Sequence, residues 1–260
     1  MANKRMMHIG LCDGDIGQYV FLPGSPERSE KISTYLDDAR EVAYNREFRT
    51  FTGYLDGTKV SVCSTGMGCP STATAARELY EIGARVLMRV GSCASTSKKV
   101  SMGDVVIPNA AVRMEGVADH FVPVEFPPVP DMDMVEYLEQ AAVRLGYSYN
   151  VGVTISKASF YTQIAAETKP YGYELANRWN SFEKGGATST EMESSALFVI
   201  AEWLRIRAAA VLISATDYKT YTNVVKKKNY KEFEHRAIEV AIEAMRQIIR
   251  DDKASASVVA

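Results

Sequence analysis

Continuous apolar runs punctuate the chain. YVFLPG (19–24), KVSVCSTG (59–66), RVLMRVGS (85–92), GDVVIPNAAV (103–112), VGVTIS (151–156) and AAAVLISAT (208–216) are short and mostly rich in β-branched residues, so they read as strands. Most lack a period of two. A strand apolar on both faces is covered on both faces, which predicts a mainly parallel sheet between helices. Helical spacing predicts helices over 71–83, closed by Gly83, and over 132–145, 190–204 and 229–250. In 190–204 the set Met192, Ala196, Val199, Ile200 and Trp203 forms a face to bury. Residues 162–188 form a polar connection with a weakly helical middle, YELANRWNSF, of a length that suits a binding flap. The end, DDKASASVVA (251–260), has no packing pattern and reads as a flexible tail. No repeat or linker divides the chain, so residues 1–250 are expected to form a single domain.

Composition narrows the function classes. Over 260 residues, 47% are hydrophobic and 24% charged, ordinary for a globular protein with an ample core. The net charge of −2 gives no footprint for nucleic acid or an acidic membrane, so an anion site has to be a local arginine cluster. Cys12, Cys63, Cys69 and Cys93 lack zinc-like spacing and read as reduced thiols of a cytoplasmic protein. His8, His120 and His235 lie far apart, which gives a metal site little support. The start, MANKRMMHIG, lacks a signal-peptide core, and no run is long enough to span a membrane.

In α/β sheets ligands gather at the carboxyl ends of strands. There the chain places Gly24 and Arg28 in PGSPER, the small-residue turn STGMGCPST, and Arg89, Gly91 and Ser92 in RVGSCAS. Glycine lets backbone N–H groups approach an anion, and arginine offers a fork matched to phosphate oxygens. Arg89 interrupts the apolar run VLMRVG, where a guanidinium needs an anionic partner. Later, GATSTEMESSALFVIA (186–201) sets Glu191 and Glu193 at a helix mouth. Thr190 with Glu193 predicts a capping box there, and the paired carboxylates also suit a ligand clamp.

Taken in order, PGSPER, YNREF, STGMGCPST, RVGS, AAVRMEG with EFPPV, SFYTQ and EMESSALF resemble the nucleoside phosphorylase family, which includes uridine phosphorylase and the hexameric purine nucleoside phosphorylases. The likeness covers roughly residues 8–250. It implies a three-layer α/β/α sandwich with a mixed central β-sheet, and a pentosyltransferase that splits a nucleoside reversibly with phosphate, releasing base and ribose 1-phosphate in nucleoside salvage. It implies no cofactor, since inorganic phosphate is a co-substrate. The family pattern assigns phosphate to Gly24, Arg28, Arg89 and Ser92, with Arg46 from a neighbouring subunit. It assigns ribose to Glu191, Met192 and Glu193, with His8 from the neighbour, and the base to Phe160 and Gln163. Such enzymes form homodimers that commonly associate into homohexamers. Positioning does much of the work: the arginines hold the dianion beneath a cation-like sugar, while Glu193 orients the ribose hydroxyls.

The chain also departs from the pattern. Ser25 stands where an aspartate is usual and Ala94 where a glycine is common; the first loosens an expected ion pair to Arg28, the second adds a methyl near the base cleft. Uridine phosphorylases typically carry two further arginines for the uracil carbonyl. Here those regions read QIAAETKP and SATDYKT, with Thr168 or Lys169 and Tyr218 near the expected places. Asp217 lies within about one residue of the acid that protonates the base in the purine enzymes, and a surface-turn role for it stays open. The absent arginines and Asp217 tilt the expectation slightly toward purine nucleosides, while Gln163 and the flap length point to uridine. A water-using nucleosidase needs no arginine cluster, and a non-catalytic nucleoside-binding protein would form no ribose 1-phosphate; both remain alternatives.

Overall fold

The computed structural model describes residues 5–218 and 230–259. Residue 229, the expected first residue of the last helix, and Lys219 and Thr220 of SATDYKT lie outside them.

Among the described residues, nine strands form one mixed sheet in the order β2-β3-β4-β1-β5-β8-β7-β6-β9. They are β1 (Tyr19–Pro23), β2 (Asp37–Asn45), β3 (Phe48–Leu55), β4 (Thr58–Cys63), β5 (Val86–Ser95), β6 (Val105–Met114), β7 (Tyr149–Lys157), β8 (Ser189–Glu191) and β9 (Arg207–Ser214). The expected parallel pairings hold for β1 with β4 and β5, and for β5 with β9. The hairpin β2–β3, and β3 with β4, are antiparallel. β5 meets β9 through Val86–Cys93 and then β8 through Ala94 and Ser95, so half the sheet curls back on itself.

Helices cover both faces. Tyr19, Phe21, Val86 and Met88 point into a core with α1 (Pro26–Ser33), α3 (Met132–Leu145) and α6 (Tyr230–Val259). Their strand neighbours Val20, Leu22 and Leu87 point to the other face, against α2 (Cys69–Glu81) and α5 (Ser194–Leu204). This two-sided burial is why β1 is apolar throughout. Three of the four cysteines, Cys63, Cys69 and Cys93, are buried free thiols, and burial raises the pKa of each.

Three expectations need correction. β2 escapes an apolar-run reading because it is mostly exposed and carries polar residues, and β3 because Thr50 and Thr52 break its run although both are buried. α5 starts at Ser194, later than residue 190, and the predicted capping box does not form: Thr190 and Glu191 belong to β8, and Glu193 makes no side-chain cap bond. The Glu191 carboxylate accepts from the N–H groups of Glu193 and Ser194 instead. The loose tail is replaced by helix, since α6 continues to Val259. Its polar residues have partners there: Asp252 accepts from Tyr19 and Arg207, and Asp251 from Tyr137. The flap 162–188 contains α4 (Gly172–Lys184), in line with its weak helical middle.

Asp252→Ala strips the acceptor from Tyr19 and Arg207 and is expected to cost about 1–3 kcal/mol in urea denaturation. Unchanged stability would mean that the end of α6 does not dock.

Candidate active site

Arg89 occupies the middle of β5, opposite Leu22 of β1 and Ala210 of β9. With strands on both sides and helices over both faces, Arg89 is buried, at 4% exposed. Burial opposes its charge, but Glu193 and Glu191 outweigh that and raise its pKa. Nε donates to Glu191 Oε2 at 3.0 Å and Nη2 to Glu193 Oε2 at 2.5 Å. Gly91 leaves room for this path, because a Cβ there would lie 2.7 Å from Arg89 Nη2.

Both carboxylates are held by backbone as well. Glu193 Oε1 accepts from Gly68 N at 2.6 Å, which sets the carboxylate at the N-terminus of α2, a favourable place for negative charge. Gly68 reaches that geometry with φ of +93°, which L side chains rarely adopt. Glu193 Oε2 also accepts from Met192 N, and Glu191 Oε1 accepts from Ser156 Oγ. One guanidinium thus faces two buried carboxylates, leaving the trio one negative charge in excess. Burial is the main cause of the raised pKa of Glu193; Arg89 pulls it down and Glu191 pushes it up.

Arg28 reaches the same strand. From α1, capped by Ser25 Oγ, it donates Nη1 to Val90 O at 3.2 Å and Nε to Glu234 Oε1 at 2.7 Å. Gly24 lies beside the backbone of Gly66, and Ser92 is half-buried further along β5. Met192 extends to Gly68, its methyl 3.9 Å from where a Cβ would stand. The structure therefore brings Gly24, Arg28, Arg89, Glu191, Met192 and Glu193 to one end of the sheet.

Lys157 was not singled out from the sequence. Its β7 neighbour Ser156 bonds Glu191, and its own Nζ donates to Phe160 O at 3.0 Å and Gln163 Oε1 at 2.7 Å. Nζ also lies 5.2 Å from the centre of the Phe160 ring. Burial pushes its pKa down to about 8, against the pull of Glu191. The lysine directly before ASFYTQ was the available signal; a lysine at a strand end is ordinarily solvated, so it passed unnoticed.

His8 and Asp217 bond to residues outside that cluster. His8 Nδ1 lies 2.6 Å from Glu78 Oε1 on α2, and its backbone carbonyl accepts from Asn45 Nδ2 at 2.7 Å. Arg46 follows at the exposed β2–β3 turn, so His8 and Arg46 share one surface. Asp217 is exposed beyond β9, where Oδ1 accepts from Met102 N at 2.8 Å. Lys169 Nζ is bonded within the flap, to Ile164 O and Ala165 O. Ala94 pairs with Thr190 across β5–β8. Among the described residues no cluster of His, Cys, Asp or Glu suits a metal ion, and no helix is long and apolar enough to cross a membrane.

A profile of the phosphorylase superfamily matches residues 18–250. The uridine phosphorylase of Treponema pallidum (strain Nichols) is 40% identical over 245 residues, covering 94% of this chain and 95% of the relative. The guanosine phosphorylase of Halorubrum lacusprofundi is 32% identical over 204 residues, covering 78% and 80%. A crystal structure of uridine phosphorylase from Vibrio fischeri ES114 superposes with a TM-score of 0.82 at 27% identity, covering 94% of this chain and 98% of that one.

Removing the cation from the trio leaves two buried carboxylates uncompensated. Arg89→Met should lose roughly 3–5 kcal/mol of stability, and adding Glu193→Gln should recover part of it. If the double variant is no more stable than the single one in urea melts, the charge balance described here is wrong.

Proposed function

The chain belongs to the phosphorylase superfamily and, within it, to the nucleoside phosphorylases, which are pentosyltransferases; on that footing we propose that it cleaves uridine with phosphate to uracil and ribose 1-phosphate. The observation that carries the reading is the junction at Arg89, where the arginine end of the site meets the carboxylate end through hydrogen bonds to Glu191 and Glu193.

Phosphate sits against Arg28, Arg89, Ser92 and the Gly24 turn. Glu193 takes the ribose hydroxyls: a carboxylate has about four acceptor sites, and Arg89, Gly68 N and Met192 N use three of them. Phosphate drawing Arg89 toward itself releases another. A phosphate oxygen bonds to the anomeric carbon as the glycosidic bond breaks, and that bond's electron pair leaves with the base. In uracil the charge spreads to the ring carbonyls. Lys157 and Gln163, bonded to each other, supply donors to such an oxygen and substitute for the absent arginines. Phe160 supplies a ring face.

Uridine is preferred here over the purine lean of the sequence. The 40% identical relative is a uridine phosphorylase, and Asp217 Oδ1 already serves a backbone N–H. A guanosine reading rests on the Halorubrum relative and on Asp217. Self-association completes the proposal. Arg89 is outnumbered by carboxylates, and a dianion needs further cations, so Arg46 and His8 act in a neighbour's site in a dimer or hexamer. The expected cytoplasmic location follows from the proposed salvage role.

The test is base release from uridine, inosine and guanosine with and without phosphate. Turnover of uridine ahead of both purine nucleosides, only with phosphate and with ribose 1-phosphate as product, is the expected result. Release in phosphate-free buffer would make the protein a nucleosidase, and preference for guanosine would restore the purine reading. The Lys157 cation is present below its pKa of about 8 and lost as pH rises through it, so uridine kcat/KM should fall across that range. Lys157→Met should lower kcat/KM and flatten that limb; an unchanged profile removes Lys157 from base binding.

A further inference from the structure

Arg28 has a guanidinium whose plane is fixed from behind. Glu234, on the first turns of α6, accepts from Arg28 Nε at 2.7 Å, and Val90 O accepts from Nη1 at 3.2 Å. A guanidinium carries five N–H donors in one plane, so two fixed bonds set its orientation and leave the remaining donors for a ligand. Arg28 and Glu234 are both buried, at 8% exposed each. Lys31, one turn along α1, ion-pairs with the other oxygen of Glu234, although its side chain is 53% exposed. Burial would raise the pKa of Glu234, but Arg28 and Lys31 outweigh it and lower it.

The contact closes a gap left by the sequence. Ser25 cannot form an ion pair with Arg28, and its hydroxyl caps α1 by accepting from Arg28 N at 3.3 Å. The carboxylate that faces Arg28 comes from 206 residues further along the chain. We infer that Glu234 is a positioning residue for phosphate, acting through Arg28: it holds the guanidinium plane so that its free edge faces the ligand at the end of β5. The inference rests on the phosphorylase reading above. Glu234 itself touches no substrate.

Charge alone predicts the opposite sign, since a carboxylate behind an arginine weakens its pull on an anion. Orientation is taken to win because the Arg28–Glu234 contact is buried, where a charged hydrogen bond is least replaceable by water. Steady-state kinetics on the full-length protein separates the two. Glu234→Gln should raise the KM for phosphate about tenfold, the worth of one charge-assisted hydrogen bond, with the KM for uridine changed less than about twofold. Glu234→Asp should recover part of the loss, and it carries the same readout if Glu234→Gln does not fold. Lys31→Ala removes only the exposed half of the cluster and should leave phosphate KM nearly unchanged. In an Arg28→Ala background, Glu234→Gln should have no further effect on phosphate KM.

A fall or no change in phosphate KM for Glu234→Gln, an equal rise in both KM values, or an equal effect from Lys31→Ala would overturn the assignment. If Arg28→Ala itself leaves phosphate KM at the wild-type value, the phosphate reading of Arg28 fails, and Glu234 with it.

Discussion

The arrangement depends on one buried guanidinium shared by two carboxylates. Arg89 sits in a strand flanked on both sides and bonds Glu191 and Glu193, which are themselves fixed by the N–H groups of Gly68, Met192, Glu193 and Ser194. A buried ion group of this kind is poor value as a source of stability, because desolvation offsets most of its Coulomb energy. It does fix geometry. Side chains held by charge-assisted bonds on rigid elements start the reaction already oriented, and this orientation supplies much of the rate in a reaction that needs little covalent help from the protein.

The fold explains how these residues meet although more than a hundred positions separate them. β5 is the hub: it pairs with β1, β9 and β8, and its carboxyl end receives the β1–α1 turn on one side and the β8–α5 turn on the other. The first brings Arg28, the second Glu191 and Glu193. α6 packs on the same face as α1 and supplies Glu234 to the arginine end. β7 ends beside β8, so Lys157 and the Phe160–Gln163 turn enter where the base is proposed to lie. The residues proposed for phosphate, sugar and base thereby occupy successive strand ends.

Much of this was legible in the chain. Apolar runs marked the inner strands because those strands are buried on both faces, and a lone arginine inside such a run pointed to an ion partner. The ordered motifs placed the family, which the superfamily match and full-length relatives bear out. The edge strand β2 was missed because exposure lets polar residues into a strand, and β3 because the buried threonines Thr50 and Thr52 interrupt its apolar run. The helix start at 190 was displaced because a short strand, β8, carries Thr190 and Glu191 into the sheet, where Glu191 caps α5 from outside it. Lys157 and Glu234 were invisible for a different reason. Each is an ordinary charged residue until folding buries it against a partner, and no local pattern records a contact spanning 206 positions. The purine lean came from the absent arginines and from Asp217, and the relatives do not support it over uridine.

The most direct test of the shared frame is a crystal structure of the protein with phosphate and an unreactive uridine analogue. The account predicts one continuous cavity, with the anion bonded to both Arg28 and Arg89 and the sugar hydroxyls on the Glu193 carboxylate. Phosphate and sugar in separate cavities, or an anion that contacts neither guanidinium, would contradict it.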